Sequence, residues 1–144
     1  MAYSLQPVTV TASATLSRKT HGGTIVNASA AAGMTLTLPA STGKGERFTV
    51  RVKTTVTSNN LIVAVANATD VMTGYALLAQ DAADTAVMFE TASTSDTITM
   101  NGSTKGGIVG DLIELVDADV GFWQVRVIGS ATGTEATPFS AAVS

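Results

Sequence analysis

The amino-acid sequence predicts an all-β protein: a β-sandwich, a jelly-roll-like fold or a small barrel, with extended N- and C-terminal arms. Three observations support this class. Short segments alternate apolar with polar residues, turn residues recur about every 8 to 12 positions, and no long segment has clear helical periodicity. At 144 residues the chain suits one domain with one core. We assign residues 1–13 to an N-terminal arm, 14–128 to a single β domain and 129–144 to a C-terminal tail.

A strand-turn-strand unit spans residues 34–53. Apolar residues alternate with threonine over 34–38, and with arginine, threonine and lysine over 47–53. Because side chains two positions apart share one face of a strand, each segment has an apolar face and a polar face. The intervening residues 39–45 contain one proline and two glycines, which are typical of turns.

Residues 96–116 repeat this design in a degenerate form. Setting Met34 against Asp96 aligns five identical residues, four of which are threonine or serine. In a chain with 23 threonines, these identities suggest an internal duplication without establishing it. Two units of one design indicate a structural β protein rather than an enzyme.

Further strands are expected around these units. Residues 61–66 are apolar on both faces, which is typical of a central strand. Residues 75–79 and 86–89 predict a strand pair, although the alanines and leucines of 76–83 also allow a helix. The other expected strands are 13–16 and 24–27, around a turn at 18–23, and 122–128, in which Trp123, Val125 and Val127 share one face.

The two ends of the chain lack a core pattern. Residues 1–13 are rich in threonine, serine and valine and predict an extended arm. In residues 129–144 periodicity vanishes, which predicts a tail that is disordered or ordered only on a neighbour. Pro138 and Phe139 are the expected anchors of that tail. We expect removal of residues 129–144 to spare the fold.

The composition indicates an apolar surface. Apolar residues make up 45% of the chain and charged residues only 13%, and the mean hydropathy is +0.32. This balance favours oligomerisation or docking. The chain has no cysteine, and its longest apolar run is far shorter than a bilayer span. We therefore expect a soluble product without disulfides, a standard secretion signal or a membrane partner.

The charges are unevenly placed along the chain. Residues 1–60 have a net charge of +5 and residues 61–144 a net charge of −8. This asymmetry predicts complementary patches between neighbouring copies or toward a partner, although scattered, solvated charges explain it equally well. Arg47, Arg51 and Lys53 share one face of a strand. Because the total charge is acidic and aromatic residues are few, we expect this face to meet protein or solvent rather than nucleic acid.

No pattern indicates catalysis or a cofactor. The single histidine, His21, lies in a turn and is accompanied by no nucleophile motif. Ser41 and Lys44 match S-x-x-K, but they occur in a turn and lack the companion motifs. Asp117, Asp119 and Glu114 lie close together, yet the calcium-loop pattern is missing, and ordinary aspartate turns are the better explanation. We expect no enzyme activity, no metal and no cofactor.

Several segments resemble small virion structural proteins of tailed bacteriophages, in particular capsid decoration or cement proteins. The segments span most of the chain after residue 28. Two elements, T-L-P-A-x-T-G-x-G and G-D-x-I-x-L-x-D followed by G-x-W-x-V, also occur in phage tail and fibre proteins. The segments are A-A-A-G-M-T-L-T-L-P-A-S-T-G-K-G-E-R-F-T-V (30–50), V-A-N-A-T-D-V-M-T-G (65–74), S-D-T-I-T-M-N-G (95–102), G-D-L-I-E-L-V-D (110–117), G-F-W-Q-V (121–125) and A-T-P-F-S (136–140).

The resemblance implies a β-rich protein without catalytic residues. Such a protein is made in the host bacterial cytoplasm, assembles as dimers or trimers on the capsid exterior of the virion and clamps neighbouring subunits of the major capsid protein. We expect the contacts to come from both arms and one sheet edge. The expected interface residues are Tyr3, Leu5, Pro7, Arg47, Arg51, Lys53, Pro138 and Phe139.

Two other functions compete with this expectation. A tail-fibre or receptor-binding β module would need an exposed aromatic platform for carbohydrate, and the chain has few aromatic residues. A small hydrolase would have to be built on His21 without a recognisable nucleophile, which the sequence disfavours.

Overall fold

Two mixed β-sheets enclose one aliphatic core. The computed structural model of the chain describes residues 5–143, and these form the predicted all-β fold of the sandwich type. The first sheet has seven strands in the spatial order β1-β3-β5-β10-β11-β7-β8, and the second has five in the order β12-β9-β6-β4-β2. In chain order the elements are β1 (Val8–Val10), β2 (Ala14–Thr15), α1 (Arg18–His21), β3 (Ile25–Ala28), β4 (Met34–Thr37), β5 (Arg47–Val52), β6 (Leu61–Ala64), β7 (Val71–Gln80), β8 (Ala86–Glu90), β9 (Thr97–Met100), β10 (Leu112–Asp119), β11 (Phe122–Ala131) and β12 (Phe139–Ser140).

The alternation in the sequence decides which side chains are buried. Every second residue of the principal strands points into the core, and those residues are almost all aliphatic. Trp123 is the largest buried side chain and packs edge-on against Phe48, with ring centroids 5.9 Å apart. Other core residues are Leu36, Val63 and Ile98 from the five-stranded sheet and Val50, Ile113, Val125 and Val127 from the seven-stranded sheet.

Both strand-turn-strand units cross between the sheets. The strands of the first unit, β4 and β5, lie in different sheets, as do β9 and β10 of the second. Strand β5 is antiparallel to β10, and β6 lies parallel to β4 but antiparallel to β9. The two units therefore run in opposite directions in both sheets, as two copies related by a half-turn would.

The structure also bears on the predictions for β6, for the pairing of β2 with β3 and for residues 76–80. Strand β6 is the centre of the five-stranded sheet, as expected, but one of its faces is only half-buried. Strands β2 and β3 do not pair with each other, because the turn between them contains the single helical turn α1 and carries the chain from one sheet to the other. Residues 76–80 belong to β7 and not to a helix, since burial alternates with period two along this strand.

The prediction that residues 129–144 form a tail outside the domain is wrong. Residues 129–131 extend β11, and β12 pairs with β9 in the chain's own five-stranded sheet. Phe139 is 7% exposed and belongs to the core, and Pro138 beside it is also buried. The carboxylate of Asp96 accepts hydrogen bonds from the backbone N–H groups of Ala142 and Val143. The segment is therefore anchored within the domain rather than on a neighbour.

Part of the predicted N-terminal arm belongs to the seven-stranded sheet. Strand β1 pairs in parallel with β3, whereas Leu5 and Pro7 before it are exposed. Tyr3 lies outside the described residues. Among residues 5–143, no helix has the length and apolar character needed to cross a membrane.

Candidate binding face

The seven-stranded sheet has a solvent-facing side formed by side chains of β5, β10, β11, β7 and β8, which we call the outer face. Its residues alternate with the buried ones on each strand, and the strand register places them in rows across the sheet. One row is apolar along four neighbouring strands. This apolar row consists of Leu112, Ile128, Leu77 and Met88.

The apolar row is open to solvent. Met88 is 63% exposed, and Leu77 and Ile128 are exposed to a smaller extent. Together with Tyr75 and Arg126 they line a shallow apolar groove of about 270 Å³. Singly exposed apolar residues are common on protein surfaces, whereas contiguous ones are more typical of surfaces that bind other molecules.

A second, polar row lies beside the apolar row. It runs from Glu114 through Arg126 and Tyr75 to Glu90. Arg126 Nε donates to Glu114 Oε2 at 3.0 Å, and its Nη2 reaches the same oxygen. Both side chains are exposed, so this pair contributes less than about 1 kcal/mol to stability. Its effect is to hold the guanidinium in one orientation on the outer face.

Tyr75 lies where the apolar and polar surfaces meet. Its side chain is 54% exposed, and it also borders a second groove of about 490 Å³. The polar side chains of this groove come from four strands and include guanidinium, carboxylate, amide and phenol groups. The groove is lined by Arg47, Tyr75, Glu114, Val116, Ala118, Gln124, Val125 and Arg126.

The structure separates charge across the outer face. Arg47 and Arg51 lie on β5, where Arg51 also donates to Asn27 at 3.4 Å. Lys53 is exposed just after this strand. The exposed acids Asp81, Asp84 and Glu90 lie at the other side of the sheet, on β8 and on the loop that precedes it. The face therefore has a basic side at β5 and an acidic side at β8.

Four acidic residues of the strongly negative C-terminal part are inside the protein and cannot contribute to a surface patch. Each accepts hydrogen bonds from backbone N–H groups of a loop or chain end. This arrangement satisfies buried polar groups where the backbone leaves the sheets. The four buried carboxylates are Asp70, Asp96, Asp111 and Asp117.

Asp117 is fully buried at the end of β10. It accepts from the N–H groups of Thr42 and Gly43, from the Thr42 hydroxyl and from Arg18. Burial by itself raises the pKa of this carboxyl, but the hydrogen bonds from Gly43 and Thr42, together with Arg18, outweigh burial and lower the pKa below its usual range. The carboxylate thus holds the β4–β5 loop and α1 against β10.

Asp111 also accepts hydrogen bonds from backbone N–H groups, but its pKa is shifted in the opposite direction to that of Asp117. Its carboxylate accepts from the N–H groups of Gly107, Ile108 and Ser130. Burial is the dominant influence and raises the pKa, while these hydrogen bonds oppose the change. Asp111 fixes the loop between β9 and β10 to β11, so its role in the fold is structural.

The residues considered for catalysis or metal binding make hydrogen bonds that hold the fold together. Nδ1 of His21 accepts the N–H of Ser17 at 2.9 Å and closes the helical turn. Ser41 binds Asp70 and accepts the N–H of Gly121. Asp117 points into the protein while Glu114 is on the outer face. Within the described residues no group of three or more histidine, cysteine, aspartate or glutamate side chains is arranged to hold a metal ion.

Sequence reasoning identified part of this face. Arg47 and Arg51 were expected on one side of a strand, and the shared face expected for Trp123, Val125 and Val127 leaves the alternate residues of β11 on the other side. The contributions of Tyr75, Leu77 and Met88 were missed, because only the pairing of β7 with β11 and of β8 with β7 brings them to the same rows. Pro138 and Phe139 are not on this face, and Leu5 and Pro7 precede β1 at the opposite edge of the sheet.

Comparisons of this chain with protein-family models, with curated protein sequences and with solved structures gave no match.

Proposed function

We propose that this chain is a phage capsid decoration protein, which binds the exterior of the head and stabilises the major capsid lattice by bridging its subunits. The resemblance of the sequence segments supplies the class of particle. The observation that carries a binding role is the outer face, where a continuous apolar row lies between a basic side and an acidic side.

Such a face suits a broad protein surface. The apolar row provides area that becomes buried on contact, and the separated charges orient the partner. A capsid presents the same surface many times, so contacts that are weak individually add up when one protein bridges two subunits. In this function the protein acts by binding, and the buried aspartates hold its loops in place through hydrogen bonds to their backbone N–H groups.

Microscopy of virions tests the proposal directly. Gold-labelled antibody raised against the purified protein is applied to particles of the phage that carries this gene. We expect label over the heads. Label confined to the tail would favour a tail-fibre or receptor-binding module, and unlabelled particles would exclude both functions.

A variant pair then tests the outer face. Ile128→Lys places a charge in the apolar row and should reduce binding to heads that lack the protein by about tenfold, which corresponds to about 1.4 kcal/mol. Ile62→Lys is the matched control, because Ile62 is a half-buried residue on the far side of the five-stranded sheet. Equal binding by both variants would show that the outer face is not the contact surface.

The second candidate is a tail-fibre or receptor-binding module, and Tyr75 is the observation that favours it. A half-exposed tyrosine ring flanked by Gln124, Glu114 and Arg126 offers an apolar surface and polar groups, a combination that suits a sugar ring. Polysaccharide from the host surface is the probe. Binding that is lost in Tyr75→Ala, while head binding is absent, would favour this function over the first.

A further inference from the structure

Strand β8 is the longest free edge of the two sheets. Of the four edge strands, β2 and β12 have two residues each and β1 has three, whereas β8 has five. Short edges and edges next to proline offer little to an incoming strand, and Pro7 precedes β1. Within residues 5–143, β8 pairs with β7 alone. Its other side is a template for another strand.

The hydrogen bonds of β7 and β8 show which groups are free. Gln80 N donates to Thr85 O, and Thr91 N donates to Gly74 O. In an antiparallel ladder, residues directly opposite each other alternate between hydrogen-bonded and non-hydrogen-bonded pairs. Val87 and Phe89 therefore bond to β7, whereas the N–H and C=O groups of Ala86, Met88 and Glu90 point away from it.

These free groups match a second copy of themselves. If two β8 strands lie antiparallel about a two-fold axis at Met88, this residue faces its own counterpart, and Ala86 faces Glu90. All three positions then form hydrogen-bonded pairs, because each has its backbone groups directed outward. An axis at Val87 or Phe89 would instead place inward-directed groups at the centre.

The side chains are also compatible with this pairing. On the inner side, Val87 meets Phe89 of the other copy, and both are half-buried in the single chain. On the outer side, the apolar row continues through Met88 into the apolar row of the second copy. No two like charges are directly opposite each other, since Glu90 is the one charged residue of β8 and it faces Ala86.

We infer that two copies of this chain pair edge to edge through β8, which joins two seven-stranded sheets about a two-fold axis at Met88. The pairing gives hydrogen-bond partners to the free N–H and C=O groups of β8, and it joins the outer faces of the two copies into one surface. A two-fold contact of this kind closes on itself and stops at the dimer. The inference concerns self-association and holds whichever partner the outer face binds.

Sedimentation equilibrium of the purified full-length protein over a range of concentrations provides the measurement. We expect a concentration-dependent dimer of twice the 14.6 kDa chain mass. No ion pair lies across the two paired strands, because Glu90 is the one charged residue of β8, so 1 M NaCl should preserve or strengthen the dimer. A trimer, a monomer at every concentration, or a dimer that dissociates in high salt would overturn the inference.

Two substitutions at Met88 test the edge itself. Met88→Pro removes an N–H that points away from β7, which an edge strand tolerates, and should leave a monomer with unchanged circular dichroism. Met88→Lys retains the N–H but sets two positive charges opposite each other, and should weaken dimerisation about tenfold, or about 1.4 kcal/mol. If the proline variant fails to fold, the lysine variant decides the result alone.

Leu77→Lys is the matched control, because Leu77 is next to Met88 in the apolar row but lies one strand away from the edge. It should retain the dimer if β8 pairs edge to edge. A monomeric Leu77→Lys variant together with a dimeric Met88→Lys variant would show that the outer faces associate instead, and would contradict the inference.

Discussion

Arg18 and Asp117 form an ion pair across 99 positions of the sequence, with Nη2 of the arginine 3.0 Å from Oδ2 of the aspartate. The aspartate side chain is fully buried, whereas 31% of the arginine side chain is exposed. Since Asp117 also accepts the N–H groups of Thr42 and Gly43, one carboxylate connects α1, the β4–β5 loop and β10.

Replacing this carboxylate should destabilise the protein. In Asp117→Asn, the amide can accept fewer of the converging hydrogen bonds and leaves the guanidinium without its counter-charge. We expect a loss of about 2–4 kcal/mol in the free energy of unfolding, measured by urea denaturation. Glu114→Gln is the control, because it breaks the exposed pair with Arg126 and should cost less than about 1 kcal/mol.

The effect of Asp117 should depend on pH in a defined direction. Its pKa is lower in the folded protein than the reference value of 3.8, so its stabilisation is complete above pH 3.8 and declines as the pH falls from there through the folded-state pKa. The stability difference between the wild type and Asp117→Asn should shrink over this acidic range. A difference that grows below pH 3.8 would contradict the assignment.

Asp111 should titrate in the opposite sense. Its pKa is raised in the folded protein, so its ionised form is disfavoured there, and protonation adds stability as the pH falls through the raised pKa toward 3.8. Carbon-detected NMR titration of the carboxyl groups should give a midpoint above 3.8 for Asp111 and below 3.8 for Asp117. The reverse order would be inconsistent with the burial and hydrogen bonding described above.

Gly74 should tolerate no side chain. A Cβ atom at this position would lie 1.8 Å from the carbonyl oxygen of Val125 on the neighbouring strand β11, and φ is 155°. Gly74→Ala should therefore destabilise the protein by about 3 kcal/mol or more. Gly45→Ala is the control, since φ is also positive there but no atom lies within 4 Å, and we expect a cost of about 1 kcal/mol.

Phe139 should behave as a core residue. It is 7% exposed and its side chain belongs to the core, so Phe139→Ala should cost about 3 kcal/mol or more. The matched control is Phe122→Ala, because Phe122 is 49% exposed and its removal should change stability by less than about 1 kcal/mol. Thermal or chemical denaturation followed by circular dichroism distinguishes the two, and equal costs would argue against a core position for Phe139.

Local alternation was sufficient to predict most strands and their buried faces. Phe48, Val50 and Val52 are buried as expected, and so are Trp123, Val125 and Val127. The tail was misjudged, because Pro138 and Phe139 are too few to form a periodic pattern. Their burial depends on pairing with β9, about 40 residues earlier in the chain, and on Asp96 holding the last residues.

The binding face was harder to predict than the strands. Alternation shows that Ile128 and Leu77 each point outward, but only the parallel register between β11 and β7 makes them neighbours. The sequence suggested that the two strand-turn-strand units share one design, but it did not indicate that the two strands of each unit lie in different sheets. The position of β8 at an edge also follows from the complete strand order, which no local pattern specifies.

The chain contains a single tryptophan, and Trp123 is completely shielded from solvent beside Phe48. Its indole emission therefore originates from one known site between the sheets. A red shift of that emission reports water reaching the centre of the domain, with no added dye or label. The protein thus contains an intrinsic fluorescent probe for loosening of its interior.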